Sequence, residues 1–253
     1  METHYSATTC VETCDSIEVV NPDYPRGGFQ AAIFDFDGTL SLLRRNWQDV
    51  MIPMMVDILA ATGTGETRQQ LSDHVEEFVM RLNGRQTIYQ MIRLAEEVTL
   101  RGGRPLEPLQ YKHQYHDLLW RQVGARVEGV KSGRIPREEM TVPGAENLLR
   151  TLQDRGLPLY LASGTDLAYV RSEVAVLGLE SYFGPRIYGA LDDYKKFSKA
   201  MIVEQMIRDT GLSGRAILGF GDGFVEIEEI KKVGGLAIGV ASNEETRQGV
   251  NDW

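Results

Sequence analysis

Residues 31–40, AAIFDFDGTL, constrain this chain more than any other stretch. Four apolar residues run without alternation and stop at Asp35-Phe36-Asp37-Gly38-Thr39. A continuous apolar run closed by a turn reads as a strand buried on both faces, the pattern of a parallel sheet. Two carboxylates therefore stand where a buried strand ends, and open α/β sheets bind ligands at the carboxyl ends of their strands. Both can serve one site if the backbone leaves the strand between them. Gly38 allows that turn, and Thr39 can hydrogen-bond within it. One carboxylate can then attack or bind a metal while the other moves a proton, a division of labour that suits phosphoryl transfer.

The pattern from residue 141 onward supports a parallel sheet. Pro143-Gly144 opens a helix with Ala145, Leu148, Leu149 and Leu152 on one face, and Gly156 closes it. LPLYLA, residues 157–162, reads as a strand, and Ser163-Gly164-Thr165 as its turn into a helix carrying Leu167, Val170, Val174 and Leu177. A short strand over 187–190 follows. Ser198 caps a helix with Ile202, Val203, Met206 and Ile207 on one side, and Gly211 stops it. Residues 215–220 read as a strand ending in Gly221-Asp222-Gly223, then a short helix, then a strand over 236–241. Ser242 with Glu245 makes a capping-box pattern for a last helix. Alternating strands and helices of this kind predict an α/β fold with a parallel sheet flanked by helices.

Between these stretches lies a segment of a different style. Residues 41–60 read as a helix striped with Trp47, Met51, Met54, Met55, Ile58 and Leu59, with Pro53 as a kink or a start. Further helices are predicted over 67–82, 86–100 and 109–127, broken by Gly63-Thr64-Gly65, Asn83-Gly84 and Gly102-Gly103. The chain thus divides into a loose tail over 1–28 with a short edge strand at 17–20, a core over 29–43 and 141–253, and an inserted helical domain over 44–140.

Composition narrows the class of function. The 253 residues suffice for a core with a smaller inserted domain. A net charge of −9 disfavours a nucleic-acid partner. No apolar run is long enough to span a bilayer. The opening residues are polar and acidic, unlike a signal peptide. Cys10 and Cys14 are the only cysteines, and with His4 they fall short of a metal site. A cytoplasmic protein is the expectation.

Other candidate residues sit at strand and helix ends. Ser163, placed between a strand and a helix, can hold a phosphate oxygen together with nearby amides such as that of Gly164. Lys199 opens a helix, where a cation opposes the helix dipole unless an anionic site lies in front of it. Lys195 and Lys196 lie close by; Lys199 is the preferred candidate and Lys196 the second. Asp222 and Glu226, in GDGFVE, follow another apolar strand, so Asp222 faces the same sheet edge as Asp35. Carboxylates gathered there repel one another unless a cation joins them, and Mg²⁺ suits carboxylate and water ligands. Arg44, Arg45 and Trp47 lie just beyond the acidic turn, where cations can meet a phosphate.

Taken together, DFDGT, Ser163 after LYLA, Lys199 and GDGFVE resemble, in order, the four motifs of the haloacid dehalogenase-like (HAD) hydrolase superfamily. The resemblance covers about residues 29–241, and the helical insertion resembles that family's C1 cap. The third motif lacks the common KPxP form, and the fourth has Glu226 where Asp is frequent. The resemblance implies a Rossmann-like core and an aspartyl-phosphate mechanism. Asp35 would be the nucleophile, and Asp37 would protonate the leaving alcohol and then activate water. Ser163 and Lys199 would hold the phosphoryl group. Asp35, the Asp37 carbonyl and Asp222 would bind Mg²⁺, with Glu226 supporting the metal or orienting Lys199. Thr39, Gly164, Arg45 and Arg85 are the expected substrate contacts, with the 83–86 loop as a reader.

The second aspartate points to phosphate-ester chemistry, because family dehalogenases lack it. The expected partner is a small phosphorylated metabolite, such as a sugar phosphate or a phosphoglycolate-like compound, since C1 caps exclude large ligands. A phosphomutase of the β-phosphoglucomutase type uses the same residues and is the alternative reading. A non-catalytic binding module would have lost a charged site residue, and none is lost.

Overall fold

The computed structural model describes residues 17–21, 23–24, 27–191 and 193–242. The first strand, β1 (Ala31–Phe34), is buried along its whole length. Its side chains alternate between two separate cores, as the two-residue period of a strand requires. Ala32 and Phe34 face one apolar cluster, while Ala31 and Ile33 face the other. The remaining strands are β2 (Leu159–Asp166), β3 (Ile187–Ala190), β4 (Ile217–Gly221) and β5 (Leu236–Gly239). They form one sheet in the order β3-β2-β1-β4-β5, all parallel. After β3 the chain crosses to the far side of β1, so strand order reverses beside β1, where such sheets leave a crevice. Phe34 is stacked on Phe220 of β4 at 4.5 Å and meets Phe183 edge-on at 6.2 Å, which locks the centre of the sheet.

Helices α1 (Gln48–Ala60), α2 (Arg68–Arg81), α3 (Thr87–Leu100) and α4 (Pro108–Lys131) follow β1 as one contiguous segment. Local chemistry sets their starts. Thr67 and Gln70 form a capping box on α2, and Glu107 with Gln110 forms another on α4, whose first residue is Pro108. The chain enters and leaves this segment side by side. The Leu42 N–H donates to the Met140 carbonyl and the Val142 N–H to that of Leu40. Helices α5 (Ala145–Asp154), α6 (Leu167–Val176), α7 (Glu180–Phe183), α8 (Lys199–Thr210) and α9 (Phe224–Lys232) belong to the alternating part. Ser198 caps α8 by accepting from the Met201 N–H, and Gly211 closes it with a positive φ. Among the described residues, no helix is long and apolar enough to cross a membrane.

Several expectations are corrected. Residues 17–20 form no strand, and Ile17, Val19 and Val20 are exposed. The first helix starts at Gln48, not at residue 41, because residues 41–47 spend their backbone groups on the crossing with residues 140–142 and on turns. Pro53 lies inside α1 rather than at its start. Strand β2 runs on through Ser163 to Asp166, with an irregularity against β3, so Ser163 is a strand residue and not a helix start. The expected last helix and Cys10, Cys14 and His4 lie outside the described residues.

Candidate active site

The turn after β1 is built around one carbonyl. Phe36 O accepts from the N–H groups of Thr39, Leu40 and Ser41, while the Asp35 N–H continues the sheet by donating to Phe220 O. Phe36 is fully buried and anchors the turn. Gly38 has φ +78°, and a Cβ there would fall 2.1 Å from Asp222 Oδ2. Only glycine therefore lets the carboxylate after β4 lie against the turn after β1. Asp35, Asp37 and Asp222 line one cavity as a result.

Lys199 enters this cluster from the first turn of α8. Its buried ammonium donates to Asp35 Oδ1 at 2.8 Å and to Glu226 Oε1. The unfavourable place of a cation at a helix start is thus compensated by two carboxylates. Lys196 is exposed and pairs with Asp193, so it has no part in the cluster. Glu226 faces Lys199, and its carboxylate is absent from the lining of the main cavity. Of the two roles expected for Glu226, supporting the metal or orienting Lys199, the contact seen is the one with the lysine, while its Oε2 is buried without a hydrogen bond.

Asp37 has a different environment from Asp35. Thr165 donates its hydroxyl to Asp37 Oδ2 at 2.9 Å and Ser163 does so at 3.3 Å, while Oδ1 is buried without a hydrogen bond. Arg44 Nε stands 3.8 Å from Oδ1. Burial pushes the Asp37 carboxyl up to about 6, against the pull of Arg44 and with repulsion from Glu173 and Asp35. Asp222 is also held well above the usual carboxylate range, first by burial and then by repulsion from Asp35, with Lys199 pulling the other way. One turn thus carries an acid paired with an ammonium and an acid that burial raises towards neutrality, into the range where it can both give and take a proton.

The surplus of buried acid fits a cation. Asp35, Glu173 and Glu226 are buried, Asp37 and Asp222 are half-buried, and the buried cations that face them are Lys199 and Arg44. Among the described residues, no three His, Cys, Asp or Glu side chains form a closed metal cage. The donors on offer are Asp35 and Asp222, a hard oxygen pair that suits an ion which keeps several waters.

The cavity has a volume of about 330 Å³, with the sheet edge as its floor and the helical segment above. Trp47, Met51, Gln90, Tyr115 and Leu119 contribute from that segment. Arg45 and Arg85 are exposed residues on its lining. Gly164 lines it too, and a Cβ there would fall 2.7 Å from the Arg85 carbonyl oxygen, so the 83–85 loop rests on the β2 end. Thr39 is buried behind the turn and does not line the cavity; its hydroxyl lacks a partner.

Sequence reasoning missed several residues that assemble here. Thr165 holds Asp37, and its only signal was a second hydroxyl after LYLA. Glu173 of α6 binds Arg44. Gln86, expected as part of a substrate-reading loop, instead donates from its buried amide to the Tyr194 and Phe197 carbonyls just before α8 and does not line the cavity. Arg44, grouped with Arg45 and Trp47 in the sequence, proves to be buried while Arg45 stays outside.

A family model for haloacid dehalogenase-like hydrolases matches residues 29–234. No curated protein matches the chain. Among solved structures, a predicted phosphoglycolate phosphatase from Haemophilus somnus 129pt is similar at 16% identity and TM-score 0.56, over 90% of this chain and 94% of that one. A β-phosphoglucomutase from Clostridium difficile is similar at 17% identity and TM-score 0.58, over 87% and 88%. A HAD hydrolase of family IA, variant 3, from Entamoeba histolytica HM-1:IMSS is similar at 18% identity and TM-score 0.55, over 85% and 86%. At these identities the likeness is one of fold.

Proposed function

This chain belongs to the haloacid dehalogenase-like hydrolase family, and from that premise we propose that it is a Mg²⁺-dependent phosphohydrolase of small phosphate monoesters. The observation that carries the reading is the split between the two acids of one turn. Asp35 is ion-paired with Lys199, whereas burial raises Asp37 towards neutrality.

Asp35 is the nucleophile. Its carboxylate oxygen bonds to phosphorus while the bond from phosphorus to the ester oxygen breaks, leaving an aspartyl phosphate. Asp37 gives its proton to the departing alkoxide. It then takes a proton from the water that attacks phosphorus, and inorganic phosphate and free Asp35 result. Lys199 and Ser163 neutralise and hold the phosphoryl oxygens, and Glu226 keeps Lys199 in place. Asp35, Asp222 and the Asp37 carbonyl would hold Mg²⁺, which would offset charge on the transferring group. Residues 44–140 act as a cap over a core built from the described residues of 29–43 and 141–242, and the cavity they enclose limits the substrate to a small ester. Arg45 and Arg85 meet that ester from the rim.

The test is phosphate release from a panel of small esters, with Mg²⁺ or EDTA, for the native chain and Asp35→Asn. Turnover that needs the metal, and that falls by three or more orders of magnitude in the variant (roughly the scale for loss of a covalent nucleophile), is the expected result. Phosphate migration within a sugar phosphate without release would instead identify a mutase.

A further inference from the structure

Among the described residues, Arg44 is the one arginine in the buried set. It is nearly buried, with its side chain 8% exposed, and its partner Glu173 is 1% exposed. Its Nε and Nη2 grip both oxygens of Glu173 at 2.6 to 3.2 Å. Its guanidinium lies 5.5 Å from the ring centre of Tyr169. Its backbone is clamped as well, because Arg126 Nη1 donates to the carbonyls of Leu43 and Arg45 on either side. A buried ion pair of this kind seldom stabilises a fold more than apolar side chains would. Rigidity of the fork is what the arrangement provides.

The other edge of the fork is open. Among the described residues, Arg44 Nη1 has no hydrogen-bond acceptor, and Arg44 lines the cavity beside Asp37. We propose that Arg44, held by Glu173, reads an oxygen acceptor on the leaving alcohol, on the carbon next to the one that bears the phosphate. This rests on the phosphohydrolase reading, in which Asp37 meets the ester oxygen. The group that contacts Arg44 must then lie only a few bonds from that oxygen, and a vicinal carboxylate or hydroxyl meets that requirement. The substrate class is a phosphate ester with a vicinal oxygen, in preference to a simple alkyl or aryl phosphate. Glu173 is a positioning residue that acts through Arg44. Arg45, on the exposed rim, contributes less to this choice.

The experiment compares 2-phosphoglycolate and glycerol 1-phosphate with ethyl phosphate and phenyl phosphate, using the full chain, Arg44→Gln, Arg44→Lys and Glu173→Gln. The expected result is a preference for the vicinal-oxygen esters in the native chain. In Arg44→Gln that preference, the ratio of kcat/KM values, falls at least tenfold, with partial recovery in Arg44→Lys. Glu173→Gln lowers the same ratio mainly through KM, a split that general destabilisation does not produce. Equal losses on both ester classes would overturn the proposal, and so would an unchanged ratio. Calorimetric binding of 2-phosphoglycolate and ethyl phosphate to Asp35→Asn, with and without Arg44→Gln, keeps the two readings apart. If no ester turns over, selective binding that depends on Arg44 still supports this inference while the hydrolase reading falls; equal binding of both ligands overturns it.

Discussion

Lys199 touches two carboxylates at once, and that arrangement separates two roles for Glu226. If Glu226 serves the lysine, Glu226→Gln leaves Mg²⁺ dependence nearly unchanged while kcat falls about tenfold or more, the scale of a disturbed electrostatic partner. Asp222→Asn, which removes a ligand itself, should instead weaken the metal by at least about 10-fold to 100-fold, the loss that removing even an outer-shell partner causes. Metal titrations of activity for the two variants check this, and an equal loss of metal affinity in both would return Glu226 to the ligand set. At this scale the sequence was legible where a charged residue broke a local rule. Asp35 and Asp222 end apolar strands, and Lys199 opens a helix against its dipole. Glu173 broke no such rule: it sits on a helix where a solvated acid is ordinary. Its partner lies 129 residues away, so the pair exists only once the chain is folded.

The parallel sheet and the burial of β1 follow from short apolar runs separated by helices, which the sequence displayed openly, whereas the strand order came only with the fold. The run from residue 41 looked helical because its apolar spacing continues that of α1. Local spacing could not reveal that residues 40–42 pair with 140–142 at the entry to the helical segment. The end of β2 was hidden for a similar reason. Gly164 looked like a turn residue, yet its lack of a side chain serves the approach of the Arg85 carbonyl. Gly164→Ala therefore should displace the 83–85 loop and raise KM several-fold with a smaller change in kcat; steady-state kinetics decide it, and an unchanged KM would show that the loop has no part in substrate capture. Phe34 offers a stability check on the sheet itself. Phe34→Ala should cost about 3–5 kcal/mol, read by urea denaturation, because a fully buried ring between two others is lost.

Across the whole molecule, the helical segment is fastened to the sheet part by buried polar contacts as well as apolar ones. Lys112 and His116 of α4 both meet Asp166 at the end of β2, and His116 packs edge-on against Tyr169 of α6. Burial lowers His116 to about 4, with Lys112, Arg44 and His113 adding to the effect and Asp166 opposing it. The unfolded imidazole takes up its proton near 6.5 and the folded one only near 4, so between those values the unfolded chain binds more protons. Stability is then fully present above about pH 6.5 and is lost as pH falls through that window, by up to about 3 kcal/mol from this group. Denaturation midpoints of the native chain and His116→Gln, compared from pH 7 to 4.5, isolate the contribution because all other groups are shared. The native chain should lose more stability on acidification; parallel curves would mean that His116 is protonated in the folded protein.

The proposed mechanism requires a covalent phosphoryl group at Asp35. The most direct measurement is acid quenching of the native chain during turnover of a phosphate ester radiolabelled in its phosphoryl group, followed by mapping of the labelled peptide. The label should sit on Asp35, be released by hydroxylamine, and be absent from Asp35→Asn. Phosphate release without label on Asp35, or undiminished release by Asp35→Asn, would contradict the mechanism.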